Sequence, residues 1–387
     1  MSYPCTIPMR FRFRLAYAFS LAVITGACAS GGSGGSATDP ATGAGGGATG
    51  GASGAGGSGN AGATAMTGGA AGAAGSTNVV GGGGVGGSGG SGPMGQTIVY
   101  VHTDTTLYQF DPSKTPYDVQ MIGDFDCIGG TGADTAMTDI AVDSAGQVFG
   151  VSSAHAYVLQ IMGSTVHCAS TIPLPTMLPG GKVTKFYALS IAPPGVITDG
   201  KEVLIAGNTD GELWAIDDKG NVTQHGDFGL VPKKDQNGNT FANAGKGWEL
   251  SGDIVFLANN GKPVGFATVR DCPSPPATTN CDKADTLLEI DVAAMKTATT
   301  GSVLKGVRGK IVKSATCKDA VNTDYGSMYG IAAFNDQVFG FSRAGQFVTV
   351  SNVDGTACLV QDLAPLKWSG AGVTTLAPVV APPPVLQ

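Results

Sequence analysis

The chain is 387 residues long, carries a formal net charge of −7, is only 13% charged, and contains 62 glycines. A mildly acidic chain without a basic cluster is a poor partner for nucleic acid or for anionic lipid head groups. Most of the glycine lies in one early stretch, so the first quarter and the remainder are different materials.

Residues 1–27 hold Arg10, Arg12 and Arg14, then the apolar run Leu15–Ala27. A basic start, a short apolar core and small closing residues make a secretory signal, and the run is too short to span a membrane. It ends Val23-Ile-Thr-Gly-Ala-Cys28. That ending resembles the lipobox of bacterial lipoproteins, with Thr25 standing where the pattern more often has Leu. The resemblance implies cleavage before Cys28 and lipidation of that residue, so the membrane partner is reached through the lipid. Ala29 follows, where an Asp would favour retention at the inner membrane. The resemblance therefore implies an outer-membrane lipoprotein, facing the periplasm or the cell surface. Losing the three arginines takes the net charge from −7 to −10.

Residues 28–95 are the lipidation site and a Gly/Ser/Ala-rich tether with no aromatic residue and with Asp39 as its sole charge. Such a segment buries too little apolar surface to offset its ordering entropy and is expected to be disordered. As a glycine-rich coil its ends lie about 45 Å apart on average. The glycine spacings in Gly81–Gly90 match a dinucleotide fingerprint, but no strand precedes them and no helix pattern follows.

Residues 96–380 form the folded domain, and 381–387 a flexible tail. Helical periodicity is almost absent, and short apolar runs alternate with Gly, Asn, Asp and Pro turns, which predicts an all-β fold. The unit is clearest at Met137–Ser153, where Thr138–Val142, the turn Asp143–Gly146 and Gln147–Ser152 read as a hairpin. Gln-Val-Phe-Gly recurs at Gln337–Gly340. Five segments share an inner-strand pattern: Thr138–Val142, Leu189–Pro193, Gly252–Phe256, Tyr329–Ala333 and Ala371–Thr375. Each but the last is followed by a second strand. A third strand recurs as Leu107–Asp111, Leu213–Asp217 and Leu287–Asp291. The domain opens on a second strand, Thr97–His102, and closes on an inner strand, Ala371–Thr375. Pairing them would complete one unit and remove the free edges. Recurrence at a few tens of residues predicts a β-propeller of five four-stranded blades closed by the C-terminal strand. The long interval from Ile254 to Ile331 leaves room for another blade. The stretch Asp139–Ser152 resembles NHL-type and gluconolactonase-like propeller repeats, which implies the fold and carries no activity over.

Asp139 and Asp253 occupy equivalent inner-strand positions, and Glu249 lies close by in sequence. Carboxylates converging on a propeller axis could act as an acid/base pair or hold a divalent cation; equally, they could hydrogen-bond the backbone. The reading favours the backbone role, with no cofactor and no metal. Phe186, Trp248, Tyr325 and Trp368 each precede an inner strand. They could ring the channel mouth and stack on a ligand, or pack between blades. The stretch Asp235-Gln-Asn-Gly-Asn239 starts like a calcium loop but has Thr240 and Lys246 at decisive positions, so it reads as a polar turn. His102, His155, His167 and His225 have no metal spacing.

Cys127, Cys168, Cys272, Cys281, Cys317 and Cys358 make an even set in an oxidising compartment. Cys127 and Cys317 follow comparable outer strands, and their separations to Cys168 and Cys358 are equal. That predicts the pairs Cys127–Cys168 and Cys317–Cys358 between neighbouring blades, leaving Cys272–Cys281 to close a short loop.

These readings describe a lipid-anchored propeller that binds an unidentified glycan, peptide or protein ligand. The rival readings are a glycan or lactone hydrolase using Asp139, Glu249 and Asp253, and a structural envelope protein.

Overall fold

The computed structural model describes residues 97–380, apart from 132–133, 275–278 and 319–323. The signal, Cys28, the tether and the tail lie outside the described residues. The fold is all-β, interrupted by one short helix, Val292–Met295. No helix among the described residues is long and apolar enough to cross a membrane.

The strands form five four-stranded antiparallel arrays. The first holds β1 (Val99–Thr103), β2 (Thr106–Phe110) and β3 (Gln120–Phe125), with β20 (Trp368–Val373) beside β1. The second is β4 (Asp139–Val142), β5 (Val148–Val151), β6 (His155–Met162) and β7 (Thr165–Pro173). The third is β8 (Phe186–Ala192), β9 (Val203–Asn208), β10 (Glu212–Ile216) and β11 (Val222–Asp227). The fourth is β12 (Glu249–Leu257), β13 (Val264–Arg270), β14 (Thr286–Ile290) and β15 (Leu304–Lys310). The fifth is β16 (Met328–Phe334), β17 (Gln337–Ser342), β18 (Gln346–Ser351) and β19 (Ala357–Asp362). The interval from Ile254 to Ile331 holds β13–β15 and loops, with no further array among the described residues.

One local turn recurs. Asp143, Asp217 and Asp235 each accept backbone N–H bonds from the residues two and four positions on. The glycine three positions on has φ near +82° in each, which only glycine adopts without penalty. Asp235, the head of the calcium-like stretch, thus caps its own turn and also accepts from Asn239 Nδ2 at 2.8 Å.

The first strand of each array packs against the next in a closed cycle, β4 on β8, β8 on β12, β12 on β16, β16 on β20 and β20 on β4. The expected pairing of the chain's two ends is present, with Val101 opposite Ala371 and Val99 opposite Val373. At the rim, the last strand of one array meets the next array in parallel. A short β3–β7 pairing fuses the first two arrays into one eight-stranded sheet, and single bridges Asp227–Ser302 and Lys313–Ala357 do the same elsewhere. All three cysteine pairs form as expected, and two of them staple such junctions. The outer strand of the fourth array, β15, ends at Lys310, earlier than the segment Lys310–Ala315 read for it.

Candidate functional site

The inner strands are edge strands, so some of their N–H groups have no partner within their own sheet. Two aspartates supply those partners. Asp139 on β4 accepts from Ile140 N at 2.8 Å and from Leu189 N on β8. Asp253 on β12 accepts from Ile254 N at 2.6 Å and from Ile331 N on β16 at 2.6 Å. Each carboxyl therefore ties its array to the next. Both are fully buried, and the two interact with each other.

Burial pushes both carboxyls up, Asp253 to about 8, and the nearby Asp253 charge raises Asp139 further. The pair holds a proton at neutral pH, with Asp139 as its donor toward Asp253. His102 on β1 lies beside them, its Nε2 3.9 Å from Asp139 Oδ1. Its Nδ1 donates to Thr103 O at 2.7 Å, and burial lowers its pKa to about 4, so it is neutral. Glu249 does not join this group: it is buried and paired with Arg270 at 2.9 Å.

Leu189 and Ile331 each donate to the aspartate of the preceding array, so they are equivalent residues. Ala188 and Gly330 therefore stand where Asp139 and Asp253 stand. The sequence pattern had aligned Ser190 with them, a slip of two residues that leaves the alternation of faces intact.

Toward the end where the inner strands begin, three of them carry a bulge at the same place. Tyr187 is the extra residue between Phe186 and Ala188, Tyr329 between Met328 and Gly330, and Ser369 between Trp368 and Gly370. The residue before each bulge, Phe186, Met328 or Trp368, is fully buried, whereas Tyr187 and Tyr329 are partly exposed. A bulge breaks the strict alternation of faces and re-aims its side chain.

This corrects the aromatic ring read from the sequence. Phe186, Trp248, Tyr325 and Trp368 are at most 1% exposed and belong to the core. Trp368 packs edge-on against Tyr108 and Phe341, and Trp248 against Phe241. The aromatics reaching solvent at the opening are Tyr187 and Tyr329, which the sequence reading passed over. The Tyr after a buried Phe or Met at a strand start was the available signal.

Each of these tyrosines carries a cation on its ring. Lys185 Nζ lies 4.9 Å from the Tyr187 centroid, and the Arg343 guanidinium 5.5 Å from that of Tyr329. Arg343 also donates to Asp104 at 2.7 Å and to Ser369 Oγ at 2.6 Å, joining the fifth array to the first across the closing seam. Burial pushes Asp104 up, but the bonds from Arg343 and Ser369 outweigh it and hold the carboxyl below its ordinary range. Among the loops at this end, Asp134 accepts from Ser152, from His155 Nδ1 at 2.9 Å and from the Tyr157 hydroxyl at 2.6 Å. Lys182 bridges Asp210 and Glu212 at 2.7 and 2.6 Å.

The two groups of potential metal ligands among the described residues, Asp126 with Cys127 and Cys168, and Glu249 with Cys272 and Cys281, both draw on disulfide sulfurs. A sulfur in a disulfide is no thiolate ligand.

No family model matches the chain, and no curated protein matches it. Among solved structures, the chain is similar to a protein of unknown function from Bacteroides caccae. The two are 12% identical, with a TM-score of 0.37, over 72% of this chain and 98% of that one.

Proposed function

We propose that this chain is a five-bladed β-propeller, lipidated at Cys28 and tethered to the outer membrane, that binds a glycan, peptide or protein ligand at the opening of its central axis. The five arrays are the blades, and the closed cycle of inner strands supports that count. The observation that carries the binding reading is the set of equivalent bulges, which turns Tyr187 and Tyr329 out of the core with a cation on each ring. Natural bulges concentrate next to functional sites, where they re-aim a side chain. A hydrolase working through Asp139, Glu249 and Asp253 gains no support from this geometry. Asp139 and Asp253 are buried and already bonded to backbone, and Glu249 is held elsewhere by Arg270.

Binding to a glycan and peptide array tests the site. Tyr187→Ala combined with Tyr329→Ala should abolish the signal while leaving the unfolding midpoint nearly unchanged. An unaltered binding profile in that variant would remove the opening from consideration. The anchor is tested separately: Cys28→Ala should leave the precursor unprocessed or release the protein from membranes, and unchanged mass and fractionation would refute lipidation.

A further inference from the structure

The charges around the opening are not evenly matched. Asp104 is engaged by Arg343, Asp210 and Glu212 by Lys182, and Glu249 by Arg270. Asp134 is engaged by Ser152, His155 and Tyr157. Two cations are left over. Lys185 and Lys367 are exposed, and neither has an acidic partner within ion-pair distance among the described residues.

Their positions are equivalent. Lys185-Phe186-Tyr187 and Lys367-Trp368-Ser369 share one arrangement: an exposed lysine, a buried aromatic anchor, then the bulge residue. The anchor fixes the backbone, so each lysine leaves its strand from a rigid support. β8 and β20 both flank β4, which places the two lysines on either side of one inner strand. The equivalent position before β4 is Ala136, which adds no charge between them.

Unpaired ammonium groups beside partly exposed tyrosines form a recognition surface for acidic groups carried on a ring-bearing scaffold. The tyrosines offer apolar faces and hydroxyls, and the lysines supply charge at a repeated spacing. We propose that the ligand of this opening is an acidic glycan whose carboxylates seat on Lys185 and Lys367. This rests on the binding reading given above. A repeating polymer with one carboxylate per sugar matches two equivalent cations better than a single isolated anion does.

The test is calorimetric titration of the full chain with a short galacturonate oligomer and with its fully methyl-esterified counterpart. The two probes share a sugar scaffold and differ in charge. The acid form should bind at least tenfold more tightly than the ester, and the difference should shrink as salt is added. Lys185→Ala with Lys367→Ala should bring the acid form down to the affinity of the ester, while Lys185→Arg with Lys367→Arg should keep the preference. Equal binding of acid and ester would overturn the charge inference. It would leave the opening intact as a site, because Tyr187→Ala with Tyr329→Ala would still lose both ligands. Binding of neither probe, or a preference for the acid form that survives the double alanine variant, would also overturn it.

Discussion

Gly370 faces Asp139 so closely that a β-carbon on it would lie 2.0 Å from Asp139 Oδ1 and 2.3 Å from His102 Nε2. Neither neighbour can retreat without cost. The carboxyl holds Leu189 on the next array, and the imidazole is buried. Gly370→Ala should therefore lower unfolding free energy by about 1–3 kcal/mol in urea titration, the range for overpacking a tight site. A loss below about 0.5 kcal/mol would mean that the seam accommodates a methyl group freely.

The aspartate pair fixes a pH dependence. Its proton is bound more tightly in the folded state than in the unfolded chain, where a carboxyl titrates near 4. The pair's contribution is complete below that range and is lost as pH rises toward about 8. Asp285, which burial raises to about 6, acts in the same direction. His102 acts oppositely: its depressed pKa costs stability as pH falls from 6.5 toward about 4. The melting temperature should accordingly drop by a few degrees between about pH 6.5 and pH 8.5. Asp253→Asn should flatten that slope. A profile that is level in the parent protein would show that the pair is ionised.

The two rim disulfides should matter more than the loop disulfide. Replacing both members of Cys127–Cys168, or of Cys317–Cys358, opens a loop of 41 residues in sequence separation, against 9 for Cys272–Cys281. In the chain-entropy account each long bridge contributes about 3–4 kcal/mol and the short one less. Denaturant titration of the three double-alanine variants gives the ranking. A peptide joining Cys127 to Cys317 in non-reducing digests would contradict the pairing itself.

Deleting the chain after Leu366 removes β20 and leaves β1 and the inner strand β16 without their neighbour. Trp368 leaves with it, a fully buried side chain whose truncation to alanine alone costs about 3–5 kcal/mol. The shortened domain should aggregate or lose cooperative unfolding. A monomer that melts as before would show that the seam contributes little.

The all-β class, the pairing of the two chain ends and all three disulfides were legible in the sequence, because each follows from repetition. Leu107, Leu213 and Leu287 head the same strand in three arrays, and the two cysteine separations of 41 are visible by counting. The functional surface was not legible, because alternation predicts facing only while a strand stays regular. One inserted residue before Ala188, before Gly330 and before Gly370 shifts the phase at the strand starts. Burial of Phe186 and exposure of Tyr187 could not be ordered from residue type alone. The fate of Asp139 and Asp253 was half legible. Their equivalence was readable, but their meeting depends on Ala188, Gly330 and Gly370 leaving space across three other arrays.

The pairing of β1 between β2 and β20 has a mechanical consequence. Any tension transmitted through the segment preceding Val99 enters the domain along the axis of β1. Both neighbours run antiparallel to that strand and grip it along its length, Val99 to His102 against residues 107–110 on one side and 370–373 on the other. Such a load must break both ladders together in shear, and cannot peel one bond at a time. The strand that begins the folded domain is thereby suited to bear pulling force, and an anchored protein in a moving envelope would be loaded at that strand first.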